Sequence, residues 1–553
     1  MDAEAPGGRR SASYGYRLLA GLILGLWLGT AAHGETTTTS AAPPAASSIK
    51  VEDLGVKEDG TYFPLHYRQA MKAPLPARIY RQSGLPAVID EMSFSAGPGG
   101  STGEFQPGGA TKTADNAFFQ SLGTNGRSCF TCHQPAFGMS ISVAHIDELF
   151  RRSGDHDPLF APVDGSTCPK NVPASETSGA LVEGRRGEGK AKLEEAYRTL
   201  LQRGLIRVFI PVPVNSDYSI TVVSDPYGCN TDPAFATETD SNSVQRQVIS
   251  VYRRPRMSAN LPFAVSAAAT PPVVGQTGAG SGNIMWDGRE PFLENQAVDA
   301  TKGHAQATNP PTPAQVQQIV GFETGIFSAM SRTRGAGELT SDFALGGPVV
   351  LASQTPGQRS ATPFSLYTTW RAFPMATALA KFRESVARGE TLFNTKTFVI
   401  SNDAGINPVP PNPAKNVTGP CATCHSQHFD GADSFPNAQQ DQGIGGDSAD
   451  FGGPTPSTFL PIFKLTCNAG STAGFHGTSV LTNDPGKALI SGKCADAGKF
   501  TVPQLRAVAS RAPFFSDGSA ATLLDVVNFY DKRFSIGLTA VEKQDLVNFL
   551  GSL

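Results

Sequence analysis

"SCFTCHQPAFG", Ser128–Gly138, holds two cysteines two residues apart with a histidine directly behind them: Cys129, Cys132 and His133. The same frame returns almost three hundred residues later in "CATCHSQHF", Cys421–Phe429, as Cys421, Cys424 and His425. Cys-x-x-Cys-His is the attachment frame of a c-type haem. The two thiols add to the two vinyl groups, the two intervening residues let the loop bridge that distance, and the adjacent histidine takes the iron from the proximal side. A redox dithiol does not require the histidine, and a zinc site asks for a matching cysteine pair beside each frame. Neither alternative fits both frames. The sequence therefore predicts two covalently bound haem c groups, one per domain, with His133 and His425 as iron ligands.

The frames sit in a chain of 553 residues with a formal net charge of -3, which points to neither nucleic acid nor a strongly acidic substrate. Abundant glycine (58) and proline (42) predict much irregular, loop-rich structure. At the N-terminus, Arg9 and Arg10 precede the short apolar run "LLAGLILGLWLG" (Leu18–Gly29) and then "TAAHGE". That order is a secretory signal peptide, assigned to residues 1–34, with an uncleaved anchor as the alternative. A flexible linker, 35–49, follows. No later apolar run spans a bilayer, so the mature chain is expected periplasmic or secreted, with no membrane span. In an oxidising compartment the four cysteines outside the frames pair as disulfides. Cys168–Cys229 and Cys467–Cys494 are the preferred pairs, and other pairings stay open.

Residues 50–374 read as an N-terminal haem c domain and 375–553 as a C-terminal one. An insertion at about 134–250 holds a helix, "KAKLEEAYRTLLQRG" (Lys190–Gly204), and two strands, "LIRVFIPVPV" and "SITVVS". "ATALAKFRESVARGETLF" (Ala376–Phe393) reads as the helix that introduces the second domain. Near the C-terminus, Thr522 and Asp525 form a capping pair, after which Leu523, Val526, Val527 and Tyr530 fall on one face. Tyr530 is thereby expected to point inward.

Three further stretches, "MWDGREPFLENQA" (Met285–Ala297), "FTVPQLRAVASRAPFFSDGSAATLLDVVNFYD" (Phe500–Asp531) and "TAVEKQDLVNFLGSL", carry a resemblance. With the two frames they resemble the bacterial di-haem cytochrome c peroxidase superfamily, which also includes the tryptophylquinone-forming enzyme and the rubber oxygenases. The resemblance implies a mainly α fold of two cytochrome c-like domains, here with a long loop-rich insertion containing some β. It implies a reactive first haem and an electron-passing second one. Trp286 is then expected between the haems as an electron bridge, against ordinary core filling, and Arg289 on a haem propionate or a carboxylate. Tyr530 falls where the peroxidases place a methionine ligand and the tryptophylquinone-forming enzyme a tyrosine. It becomes the expected sixth ligand of the second haem, with His428 and His476 as rivals.

The chain also departs from the pattern. The peroxidases' distal glutamate position, counted from Trp286, is reached at Gln306, and glutamine cannot relay a proton. His304, two residues earlier, is expected to take over the acid–base role, because imidazole titrates near neutrality. His145 is a candidate removable ligand of the first haem. Ser516 and Arg511 stand where the family often has histidine and threonine, which leaves an interdomain calcium ion doubtful. The expectation is an exported peroxidase-like oxidoreductase that takes a small-molecule oxidant, peroxide or dioxygen, with electrons from a small redox protein or a quinol-linked donor. The alternatives are an oxygenase of rubber-oxygenase type and a plain electron-transfer cytochrome.

Overall fold

The structure, a computed structural model, describes residues 85–553 except 98, 174–187, 240–244, 267–283, 291, 356–362, 373–376, 410–414, 428–429, 433–438 and 448–453. The signal and linker expectations, and His428, lie outside the described residues. Helix ends follow local chemistry. The Thr522 hydroxyl accepts from the Asp525 N–H while the Asp525 carboxylate accepts from the Thr522 N–H, which starts the helix Leu523–Phe534. Thr539 and Glu542 start Ala540–Leu550 in the same way. That last helix lies against Ala378–Thr395, and the approach is close: a β-carbon on Gly389 would lie 2.0 Å from the Asp545 carbonyl oxygen. Between and beside these helices Phe364, Tyr367, Trp370, Phe382 and Phe549 form one core. A second core, around Phe118, Phe119, Phe130 and Phe322, lies under the helices Leu293–Gly303 and Pro313–Gly325.

The expected mainly α fold is overturned. Five β-sheets stand among the described residues, beside the helices. Met92–Gly97 and Gly100–Phe105 form a hairpin that Phe327–Thr333 extends. Ile206–Pro211 pairs antiparallel with Gln245–Arg253, and Tyr218–Ser224 pairs with Ile462–Cys467, whose other edge takes Ser479–Thr482. The reason is visible in the side chains: "MSFSAG" and "IFKLTC" alternate buried and exposed residues, the period of a strand with one face on a core. Met92–Gly97, Phe327–Thr333 and Ile462–Cys467 are short, and the expectation of a mainly α fold passed over them.

The two strands expected in the insertion are present, and the first leads to the site. Its partner Gln245–Arg253 runs on through Arg254, Pro255 and Arg256 into the walls of two cavities. The expected helix breaks at Tyr197 (φ -111°, ψ 17°) into Glu188–Ala196 and Arg198–Arg203. Both preferred disulfides form, Cys168–Cys229 and Cys467–Cys494. No helix among the described residues is long and apolar enough to cross a membrane.

Candidate functional site

Each Cys-x-x-Cys-His frame folds as one tight turn. The His133 N–H donates to the Cys129 carbonyl at 3.1 Å, and the His425 N–H to the Cys421 carbonyl at 3.1 Å. Each imidazole is then oriented from behind: His133 Nδ1 lies 3.0 Å from the Met139 carbonyl and His425 Nδ1 2.6 Å from the Gly431 carbonyl. A carbonyl only accepts, so Nδ1 carries the proton and Nε2 keeps its lone pair. Burial, against the pull of those carbonyls, holds both rings below the ordinary histidine value, His133 at about 4. Both are neutral near pH 7, the form that binds a metal.

The two frames open into two cavities with largely apolar walls. Cys421, Cys424 and His425 border one of about 1670 Å³, its mouth included, and Cys129, Cys132 and His133 border one of about 1430 Å³. None of these four cysteines enters a disulfide. Paired thiols beside an imidazole with an available Nε2, on the wall of a roomy apolar cavity, fit a covalently attached haem.

One partition serves both cavities. Arg254, Pro255, Arg256, Met257, Trp286 and Gln504 border each of them. Trp286 is fixed there by its indole N–H, which donates to the Arg254 carbonyl at 2.7 Å, and by the Thr501 N–H on its own carbonyl at 2.8 Å. The Arg256 guanidinium sits 5.4 Å from the Trp286 ring centroid. Arg289 borders the first cavity and bonds Asp287 at 2.9 Å. Asp287 also meets Arg253, which takes Asp484 through two bonds. Burial works against the Asp287 charge, but Arg253 and Arg289 outweigh it and hold the carboxyl below its ordinary value.

His304 borders the first cavity at the end of Leu293–Gly303. Its Nδ1 lies 2.6 Å from Asp164 Oδ2, and the other Asp164 oxygen takes Arg127. Asp164 is 1 % exposed; burial raises its proton affinity, while Arg127 and His304 lower it further and keep the carboxylate charged. Gln306, by contrast, is exposed, hydrogen-bonds Asn125 at 3.4 Å and does not border the cavity. His145 is buried against the Phe137 ring and is absent from that wall.

Tyr530 borders the second cavity with Leu523, Val526 and Val527. Burial, then the neighbouring Cys424 and Cys421, push its phenol above the ordinary value. His476 is not in that wall and bonds Asp441 instead.

Sequence reasoning missed three groups at the first cavity. Arg127 stands two residues before the frame and was legible in principle. Asp164 comes from the loop-rich insertion, where no periodicity marks it. Glu323 hides in an apolar helix: it borders the cavity, its Oε2 has no donor among the described residues, and burial pushes it up to about 8.

No protein-family model matches the chain. Local similarity to known proteins does exist. Over 90 residues the chain is 34% identical to the cytochrome-c peroxidase IdrP2 of Denitromonas iodatirespirans, a match covering 15% of this chain and 24% of that protein. Over 69 residues it is 41% identical to the cytochrome-c peroxidase IdrP1 of the same organism, covering 10% of this chain and 18% of that protein. The matches therefore span about a quarter and a fifth of those relatives.

Proposed function

We propose that this chain is an exported di-haem c oxidoreductase of peroxidase type. One haem would be held by Cys129, Cys132 and His133, the other by Cys421, Cys424 and His425. When bound, haem supplies an iron that exchanges electrons and, where a coordination position is open, takes an oxidant such as peroxide. Nε2 of His133 and of His425 faces the ligand position because Nδ1 is tied to a carbonyl. Trp286 fills the partition and is the bridging side chain between the two centres. At the first cavity, Asp164 fixes the His304 tautomer, leaving Nε2 to hold or release a proton. Tyr530 is the proposed sixth ligand at the second. A small redox protein or a quinol-linked donor would supply electrons.

The observation that carries this reading is the shared wall, with a complete attachment frame on either side of Trp286. A pyridine haemochrome count on purified protein tests the first half: two haems per chain are expected, and one or none overturns it. Peroxide-dependent oxidation of a reduced donor tests the second half. The oxygenase reading keeps one supporting observation, that Ile206 and Val208 of the insertion border the first cavity and could shape a pocket for an organic substrate. A ferrous–dioxygen adduct together with absent peroxide turnover would favour it.

A further inference from the structure

The loops after the second attachment frame gather acidic groups that the haem reading does not use. The nearest ligand atoms of Asp441, Asp447 and His476 lie within 4.8 Å of one another. Asp441 is 2% exposed and Asp447 9%. His476 Nε2 and Asp441 Oδ2 are 2.7 Å apart, so these two point at a common spot. Asp447 has nothing comparable. Neither of its carboxylate oxygens meets a hydrogen-bond donor among the described residues. The neighbouring Thr482 hydroxyl donates instead to the carbonyls of Gly445 and Asp484, at 3.2 and 3.0 Å. A buried carboxylate without a donor is costly, because nothing replaces the water it lost.

We propose that Asp441, Asp447 and His476 bind one divalent cation of borderline hardness, Zn²⁺ being the best match. Two carboxylates and an imidazole are a zinc set, with water completing the tetrahedron, whereas calcium asks for six to eight oxygens. Asp403, fully buried and with one oxygen lacking a donor, also faces Asp441, and the Arg533 guanidinium stands beside His476. Binding replaces the hydrogen bond between His476 and Asp441 with two metal bonds and releases the shared proton to solvent.

The backbone leaves the space open. A β-carbon at Gly498, where φ is +73°, would lie 2.5 Å from Asp447 Oδ2 and 2.9 Å from Asp441 Oδ1, so any other residue would fill the cradle. The site would also brace the second cavity, since Gln440, Gln442 and Ile444, between the two aspartates or next to them, border it. The proposal does not depend on the haem reading.

The test is equilibrium dialysis of chelator-treated holoprotein against micromolar ZnCl₂, with zinc and iron counted by mass spectrometry. One zinc per chain is expected, with proton release on addition, and haem content unchanged. Asp447→Asn and His476→Gln should each weaken binding at least about 100-fold, since even groups outside a ligand set cost 10–100-fold. No zinc on the wild-type protein overturns the proposal whatever the variants do. Equal binding by wild type and both folded variants overturns it too, because the metal then sits elsewhere. Retention of calcium in preference to zinc overturns the assigned chemistry.

Discussion

Replacing His304 and Asp164 separately divides the proposed proton-handling role from the structural one. In His304→Ala, Asp164 keeps Arg127, so the buried pair survives. What is lost is one hydrogen bond to a charged group, about 1.5–3 kcal/mol at full burial. The His304 side chain is 33% exposed, so solvent screening brings the expected loss toward about 1 kcal/mol. Peroxide turnover should nevertheless fall roughly 10²–10⁴-fold, the usual contribution of a positioned acid–base group. That is about 3–5 kcal/mol on the barrier, well above the stability loss. Asp164→Asn reverses the balance. Arg127, 3% exposed, keeps the carbonyls of Pro158 and Leu159 but loses its counter-charge. Breaking a buried pair in that way costs about 3–5 kcal/mol. Turnover should fall as well, because the His304 tautomer is no longer fixed. The assays are urea denaturation and single-turnover kinetics with hydrogen peroxide, with haem content and the resting spectrum as controls. His304→Ala with wild-type turnover would refute the relay, and a changed resting spectrum before peroxide would make His304 an iron ligand instead. Gln306→Glu, exposed and off the cavity wall, should leave turnover within about twofold.

Trp286→Phe keeps an aromatic ring but loses the indole bond to Arg254, so both haems should remain while electron transfer between them slows at least tenfold in stopped-flow reduction; an unchanged rate excludes the bridge. Tyr530→Phe should alter the optical spectrum of the second haem and leave the first unchanged, and no change at either removes Tyr530 as a ligand. Glu323, raised to about 8 by burial, stays protonated in the folded protein while the unfolded chain ionises near 4.3. Its stability contribution is complete below about pH 4 and declines up to about pH 8, by at most about 1.4 kcal/mol per pH unit. Glu323→Gln should flatten that decline in urea melts at pH 5 to 8, and parallel profiles for the two proteins would contradict the assignment.

What the sequence made legible was chemistry with fixed spacing. The frames, the capping box at Thr522 and Asp525, and the inward face carrying Tyr530 all follow from local rules that neighbouring residues satisfy among themselves. His304 was reachable from the missing glutamate, and the structure sets it on the wall that Gln306 does not reach. The sheets were not legible in that way. Tyr218–Ser224 has its partner in Ile462–Cys467, and nothing in either segment names the other. Asp164 shows the same limit within the site: an aspartate in a glycine- and proline-rich stretch acquires meaning only when folding sets it between Arg127 and His304.

The partition around Trp286 has a consequence for the order in which the molecule is completed. Gln504 borders both cavities and donates to the carbonyls of Ala259 and Asn260, at 3.1 and 2.9 Å. A ribosome delivers the residues of both frames well before it delivers Gln504. Without that late segment neither pocket has its full wall, because Phe500 to Leu505 line the second and Gln504 the first. On the proposed di-haem reading, a chain truncated before Phe500 should therefore fail to give the native spectrum of either haem, and a native spectrum from that truncation would contradict it. The last tenth of the polypeptide would then complete both chambers at once.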